Sequence, residues 1–364
     1  MQEKLLYTAL FIIIALMLTI PALAGLSTAQ PGITPDTQPM QSERTESATP
    51  PSREDTRESP ESEAEPETDS SAPPDSERPS EAEQTAVSVY FPKENTAHAL
   101  PLEEYVRGVV MAEMPATFAS EALKAQAVAA RTYCMYHLMH GERHAGTEAR
   151  ICTDYTHCMA YLSDSDAAER WGEDAASEII AAIRSAVEET AGEYLTYDGS
   201  VICALFHSGS HQMTESAENV WGNPIPYLVS VPTPEESATE EVSFTAEEWR
   251  KLFADYGTVN YTALLFQSGD AVEIAAEKDS AGRIRTICSF GREMSGTTLR
   301  TAARLRSTSC EFTLTDAGVT VVTRGSGHGV GMSQYGADAM AKQGADFASI
   351  LLHYYPGAAL VAPD

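Results

Sequence analysis

The sequence predicts an α+β fold. Apolar residues at helical spacing recur in long stretches, paired alternating runs joined by turn residues have the form of antiparallel hairpins, and the regular strand–helix–strand alternation of a parallel sheet is missing. The elements start near Val87, where VSVYF (87–91) alternates as a strand does. In PLEEYVRGVVMAEMP, Pro101 suits the first turn of a helix and Pro115 ends it. With Leu102 at 0° and about 100° per residue, Tyr105, Val106 and Val109 fall within about 60° of it and Glu113 within about 20°. Glu104 falls on the opposite side, in solvent, so this helix carries one carboxylate, Glu113, along its apolar face.

Ser120 is a good N-cap for EALKAQAVAARTYCMYHLMH. There Leu123, Ala127, Ala130 and Cys134 share a small-residue face, with Lys124 and Arg131 on one flank and Gln126 on the other. A polar loop, GERHAGTEARICTDYTHCMAYL, leads to a third helix over about 174–190. EYLTYDGSVICALFH is a hairpin turned at Asp198-Gly199, and FHSGSHQMTESAENVWG is a polar loop leaving its second strand. Thr245 and Glu248 form a capping box before a helix holding Trp249 and Phe253. A second hairpin in DAVEIAAEKDSAGRIRTICSF, a short helix over about 298–305 and strands near 310–314 and 319–324 follow. They lead into GSGHGVGMSQYGA (325–337) and a final helical pattern.

The chain has 364 residues and a formal net charge of −29, which excludes the basic stripe that a nucleic-acid binder needs. Leu5 to Leu26 is uncharged and mostly apolar, so residues 1–27 read as a transmembrane anchor or a signal peptide, with Ala22-Leu-Ala24 as a candidate cleavage site. Either reading sends the rest of the chain across a membrane. Residues 28–86 are rich in Pro, Ser, Thr and Glu and carry 15 acids against 4 arginines. They read as a disordered, self-repelling linker. The folded part, 87–364, holds all six cysteines.

Glu113 is the sharpest candidate for chemistry. Burial raises a carboxyl pKa, the helix C-terminus disfavours an anion, and both suit a general acid; the plain alternative is a structural Glu paired with a nearby cation. His144, Cys152, His157 and Cys158 crowd into fifteen residues. Thiolates and imidazole suit Zn²⁺, while a Cys152–Cys158 disulfide fits the spacing equally. His207, Ser208 and His211 lack the G-x-S-x-G elbow of a serine hydrolase, and adjacent strand residues point apart. The glycines of 325–331 match neither G-x-G-x-x-G nor the P-loop pattern, so they form no phosphate cradle.

Three segments, LPLEEYVRGVVMAEMPATFASEALKAQAVAARTY (100–133), HSGSHQMTESAENVWGNPIPYLVSV (207–231) and GSGHGVGMSQYGADAMA (325–341), together resemble the stage II sporulation protein D family and the related amidase-enhancer proteins. The resemblance implies a membrane-anchored peptidoglycan lytic transglycosylase of engulfment. Its catalytic domain would lie outside the cytoplasm, on the mother-cell membrane facing the forespore. It would cleave the MurNAc–GlcNAc bond and leave 1,6-anhydroMurNAc ends. Glu113 occupies the place of the family's catalytic acid, in A-E-M-P. The resemblance implies a structural zinc held by Cys152 and Cys158 with an upstream histidine, His144, for which His157 is the runner-up. Lys124, Gln126, Arg131, His207, Ser208, His328, Gln334 and Tyr335 are the expected glycan-binding residues around a substrate cleft. A cell-wall amidase, stage II sporulation protein P, is the implied partner, and the other reading is a non-catalytic glycan-binding enhancer of such an amidase. The chain departs from the family at SGSHQM after His207, where more glycine is usual.

Overall fold

The computed structural model describes residues 85–363 apart from 145 and 260–271. The apolar segment and nearly all of the acidic tract lie outside the described residues. Among those described, no helix is long and apolar enough to cross a membrane.

The fold is α+β, with small sheets packed among helices. Strand β1 (Ala86–Phe91) pairs antiparallel with β2 (Thr96–Pro101) and, on its other edge, parallel with the short β3 (Ile151–Cys152). Pro101 caps α1 (Leu102–Glu113), and the chain turns extended at Met114, just before Pro115. The central element is α2 (Ser120–His140), whose residues from Ala122 to Cys134 are almost all buried. Its N-cap is Ala119 rather than Ser120 and has no side-chain cap; the Ala119 N–H instead donates to the distant Asp338 carboxylate at 2.8 Å. The loop after α2 contains β3 and ends in a helix the pattern did not show, α3 (Asp164–Trp171), opened by a capping box from Ser163 and Asp166. It is too short and polar, with only Ala167 buried, to leave a periodic signal. Then come α4 (Glu173–Glu189) and the hairpin of β4 (Tyr194–Tyr197) and β5 (Ser200–Val201), turned by Asp198 and Gly199 at positive φ.

Strand β6 (Phe206–His207) and the short α5 (Ala217–Trp221) precede a segment with its own core. This segment opens with β7 (Thr239–Thr245) and α6 (Ala246–Tyr256), the latter capped by the Thr245–Glu248 box as expected. Strands β8 (Thr258–Val259), β9 (Ala275–Lys278), β10 (Ile284–Ser289) and β11 (Arg292–Ser295) form one sheet in the order β8-β11-β10-β9. After α7 (Gly296–Ala302), β12 (Cys310–Thr315) and β13 (Gly318–Arg324) join β7 in a second antiparallel sheet. Trp249, Phe253, Ile287, Leu299, Val319 and Val321 fill the space between them. The glycine-rich stretch then returns the chain to the first core. There β14 (Met332–Ser333) pairs in parallel with β6, and α8 (Gln334–Lys342), α9 (Phe347–Tyr354) and β15 (Ala359–Val361) complete the fold. The segment from β7 to β13 is therefore an excursion between two strands that lie side by side, and its entry and exit open beside the site.

Candidate active site

Glu113 ends α1, where Pro115 forbids another turn. The segment leading into α3 lies against the same helix because Gly108 has no side chain: a Cβ there would stand 2.2 Å from the Tyr161 ring. Leu162 N–H donates to the Gly108 carbonyl at 3.0 Å, and two residues earlier Ala160 N–H donates to Glu113 Oε1 at 2.9 Å. Burial raises the Glu113 pKa to about 7, and the Ala160 hydrogen bond only partly offsets it. The Gln334 side chain beside the carboxyl pulls in the same direction as Ala160, although its Nε2 completes no hydrogen bond of good geometry. One edge of Glu113 stays accessible, and it opens onto a cleft of about 790 Å³, counting the space open to solvent.

Tyr133, His207, Ser208, His328 and Gln334 line the same cleft. Helix α2 brings Tyr133, β6 brings His207 and Ser208, and the glycine stretch with the start of α8 brings His328 and Gln334. Both histidines are neutral: burial drives His207 far below its ordinary pKa and His328 down to about 3. Their tautomers follow from one residue. Val330 N–H donates to His328 Nδ1 at 3.0 Å, so the His328 ring proton sits on Nε2. The Val330 carbonyl accepts from His207 Nδ1 at 3.2 Å, so His207 Nε2 must accept, and the Ser210 hydroxyl supplies its proton at 2.6 Å. Arg283 Nη2 in turn donates to Ser210 Oγ at 3.0 Å. The guanidinium reaches that position because Gly329, at φ +85, carries no Cβ; one there would stand 2.4 Å from the Arg283 Cζ. Gly329 thus lets a buried arginine lie against the loop and, through Ser210, brace His207.

The expected metal ligands come together with one addition. Ligand atoms of His144, Cys152, His157 and Cys158 lie within 4.8 Å of one another, so both candidate histidines belong to the cluster. None of the six cysteines is in a disulfide, which removes the disulfide reading of Cys152 and Cys158. The Cys158 thiol and, behind it, His157 pull Cys152 down to about 5, while Cys158 is pushed up by the same contact. His144 stacks on Tyr90 with centroids 5.0 Å apart, and its buried Nε2 has no partner.

Four expected glycan-binding residues lie outside this cleft. Arg131 is fully buried, holding Glu103 through two bonds of 2.5 and 2.8 Å and the Glu193 carbonyl at 3.0 Å. Lys124, on the same flank, bridges Glu121 and Glu189 at 2.8 and 2.7 Å. That flank faces α4 rather than the cleft, which periodicity alone could not distinguish. Gln126 is buried with neither amide atom partnered and does not line the cleft. Tyr335 lines a neighbouring cavity instead. Arg131→Met is expected to lower stability by about 3 kcal/mol, since it leaves the Glu103 charge without a cation and held only by the Gly192 N–H at 3.3 Å. Denaturant unfolding checks this, and the folded variant should keep its catalytic rate. Sequence reasoning missed Tyr133 and the Ala160 N–H; Tyr133 sits in a quoted motif but is aromatic and reads as core, and a backbone donor leaves no signal.

Residues 90–197 match the family model described as Stage II sporulation protein. The chain is 36% identical to Stage II sporulation protein D of Bacillus amyloliquefaciens, over 77% of this chain and 79% of that one. It is 35% identical to Stage II sporulation protein D of Bacillus subtilis, over 78% and 81%. The Amidase enhancer of Bacillus subtilis is 27% identical, over 71% of this chain and 40% of its own length.

Proposed function

The chain belongs to the stage II sporulation protein D family, and from that premise we propose that it is a peptidoglycan lytic transglycosylase. It would act outside the cytoplasm on glycan strands during engulfment, anchored through the apolar N-terminal segment. The observation that carries this reading is a single carboxylic acid: among the described residues lining the cleft, Glu113 is the only one, and its pKa is raised to about 7. A glycosidase that uses water needs two carboxyl groups on either side of the bond. A transglycosylase needs one. Protonated Glu113 gives its proton to the GlcNAc O4 as the bond from the MurNAc C1 breaks. The carboxylate then takes the proton from the MurNAc 6-hydroxyl as that oxygen bonds to C1. The anhydro ring closes, Glu113 regains its proton, and no water enters.

The other residues bind and orient. His207 and His328, both neutral with fixed tautomers, cannot exchange protons with the substrate at working pH. The His328 Nε2 is itself buried, so its proton stays within the protein. Ala160 N–H holds one carboxyl oxygen and leaves the other for the substrate.

The four ligands beside the cleft fit zinc: two thiols and two imidazoles match its tetrahedral preference, and the unpartnered His144 Nε2 is a donor atom with nothing else to meet. Four protein ligands close the coordination sphere, so the metal would cross-link the loop rather than act on substrate. Cys158 and Met159 themselves form part of the cleft wall, and Ala160 follows.

The rate should be highest at acidic to neutral pH and fall about tenfold per pH unit above about 7, because only the protonated Glu113 can act as acid. Release of anhydro-muropeptides from purified strands, measured across that range by mass spectrometry, checks this. A rate that climbs with pH would mean Glu113 acts as a base. The amidase-enhancer relative supports a second reading, glycan binding that stimulates a partner amidase; it predicts no anhydro product at any pH.

A further inference from the structure

A second cavity opens beside the first. It is lined by Ser208, Ser237, Ala238, Arg306, Ser326 and Tyr335, among others, and spans about 500 Å³. Ser208 and Ser326 line both cavities, so the two adjoin, the first holding Glu113 and the second reaching Arg306 and Gly325. Glu235 and Glu236 also line the second cavity, and Glu235 is held in place: its Oε1 accepts from Ser210 N–H at 2.7 Å and from the Ser333 hydroxyl at 2.6 Å. Tyr335 stands 48% exposed, unusual for an aromatic ring in this molecule, and Phe118 supports it edge-on with centroids 5.0 Å apart. Its other neighbour is Gly209, whose missing side chain leaves the ring uncovered on that side.

We propose that this second cavity is a saccharide subsite that continues the first as one groove, in which the Tyr335 ring stacks on a sugar of the strand beyond the one cleaved. This rests on the transglycosylase reading of the first cavity. An exposed ring held by a second aromatic offers flat apolar contact at little entropic cost, and the pyranose C–H face is the part of a glycan that can use it. Serine hydroxyls and the half-exposed Arg306 guanidinium around the ring suit the sugar's hydroxyl edges. The groove therefore measures length. Fragments confined to the first cavity forgo the second contact, and longer strands gain it.

The test uses purified protein and glycan strands of graded length, with kcat/KM read at each length. Wild type should favour strands that reach the second cavity over shorter ones by about tenfold. Tyr335→Phe should keep that ratio, and Tyr335→Ala should bring it close to one, mainly through KM. Ala238→Trp, which fills the cavity from an exposed position, should do the same and does not depend on the tyrosine. Equal rates at all lengths for wild type, or an unchanged ratio in both Tyr335→Ala and Ala238→Trp, would overturn the proposal while leaving the transglycosylase reading standing. If wild type releases no anhydro product from any strand, that reading fails instead. Calorimetric binding of the same strands then decides the subsite: length-dependent affinity that Tyr335→Ala abolishes upholds it, and affinity independent of length overturns it.

Discussion

Glu113→Gln is expected to fold and to lose product release by about a thousandfold or more, the scale on which a positioned general acid acts. Glutamine keeps the shape and can still accept from Ala160 N–H, but it has no proton to give the leaving oxygen. The same substitution has a second expected signature, in stability. The folded protein raises the Glu113 pKa from 4.5 to about 7, so it binds that proton more tightly than the unfolded chain does. The stability this contributes is fully present below about pH 4.5 and is lost as pH rises through about 7. Glutamine has no such dependence. Wild type and variant should therefore melt alike near pH 4.5, and the variant should melt several degrees higher above about pH 7.5, since each tenfold difference in proton affinity between the folded and unfolded chain is worth about 1.4 kcal/mol. A variant that retains wild-type product yield would remove Glu113 from the chemistry; one that is inactive but equally stable at every pH would place its carboxyl in water.

Removing the proposed zinc should cost both fold and function. Chelation, or Cys152→Ser, is expected to lower the melting temperature by about 10 °C or more, since a closed structural site contributes folding energy directly. Product release should fall in parallel as the wall formed by Cys158 and Met159 loosens and Ala160 leaves Glu113. Elemental analysis should find one zinc per chain in the wild type and none in the serine variant. Loss of activity at an unchanged melting temperature would mean that the ion takes part in the reaction itself.

The residues legible in the sequence are those whose role follows from local spacing. Glu113 stands out because a helical wheel places it among apolar neighbours. The Thr245–Glu248 box and the Asp198-Gly199 turn are local devices, and both form as expected. Lys124 and Arg131 share a flank, as their spacing indicates, but that flank meets α4 and not the cleft, because a wheel gives a face and never the neighbour that face meets. The glycines of the 325–331 stretch stand out by spacing, but spacing does not say what each one meets: Gly329 meets the Arg283 side chain, while Gly325, Gly327 and Gly331 meet Gly209, His207 and Leu205. No spacing rule pairs residues that far apart. The second core itself is visible in the sequence only as its separate elements, since nothing in the chain announces that Phe206 of β6 and Met332 of β14 lie side by side.

A cavity holding two imidazoles and a carboxylate would ordinarily invite a divalent cation, as in a metallohydrolase. Val330 forecloses that here. An imidazole binds a metal through the lone pair of its unprotonated nitrogen, and in His328 that lone pair already faces the Val330 N–H. In His207, which the Val330 carbonyl holds protonated at Nδ1, the remaining lone pair is taken by Ser210. Neither ring has one to spare. The metal-binding capacity near the cleft is thereby confined to the cysteine cluster behind its wall, and Glu113 keeps its proton free of competition from a cation.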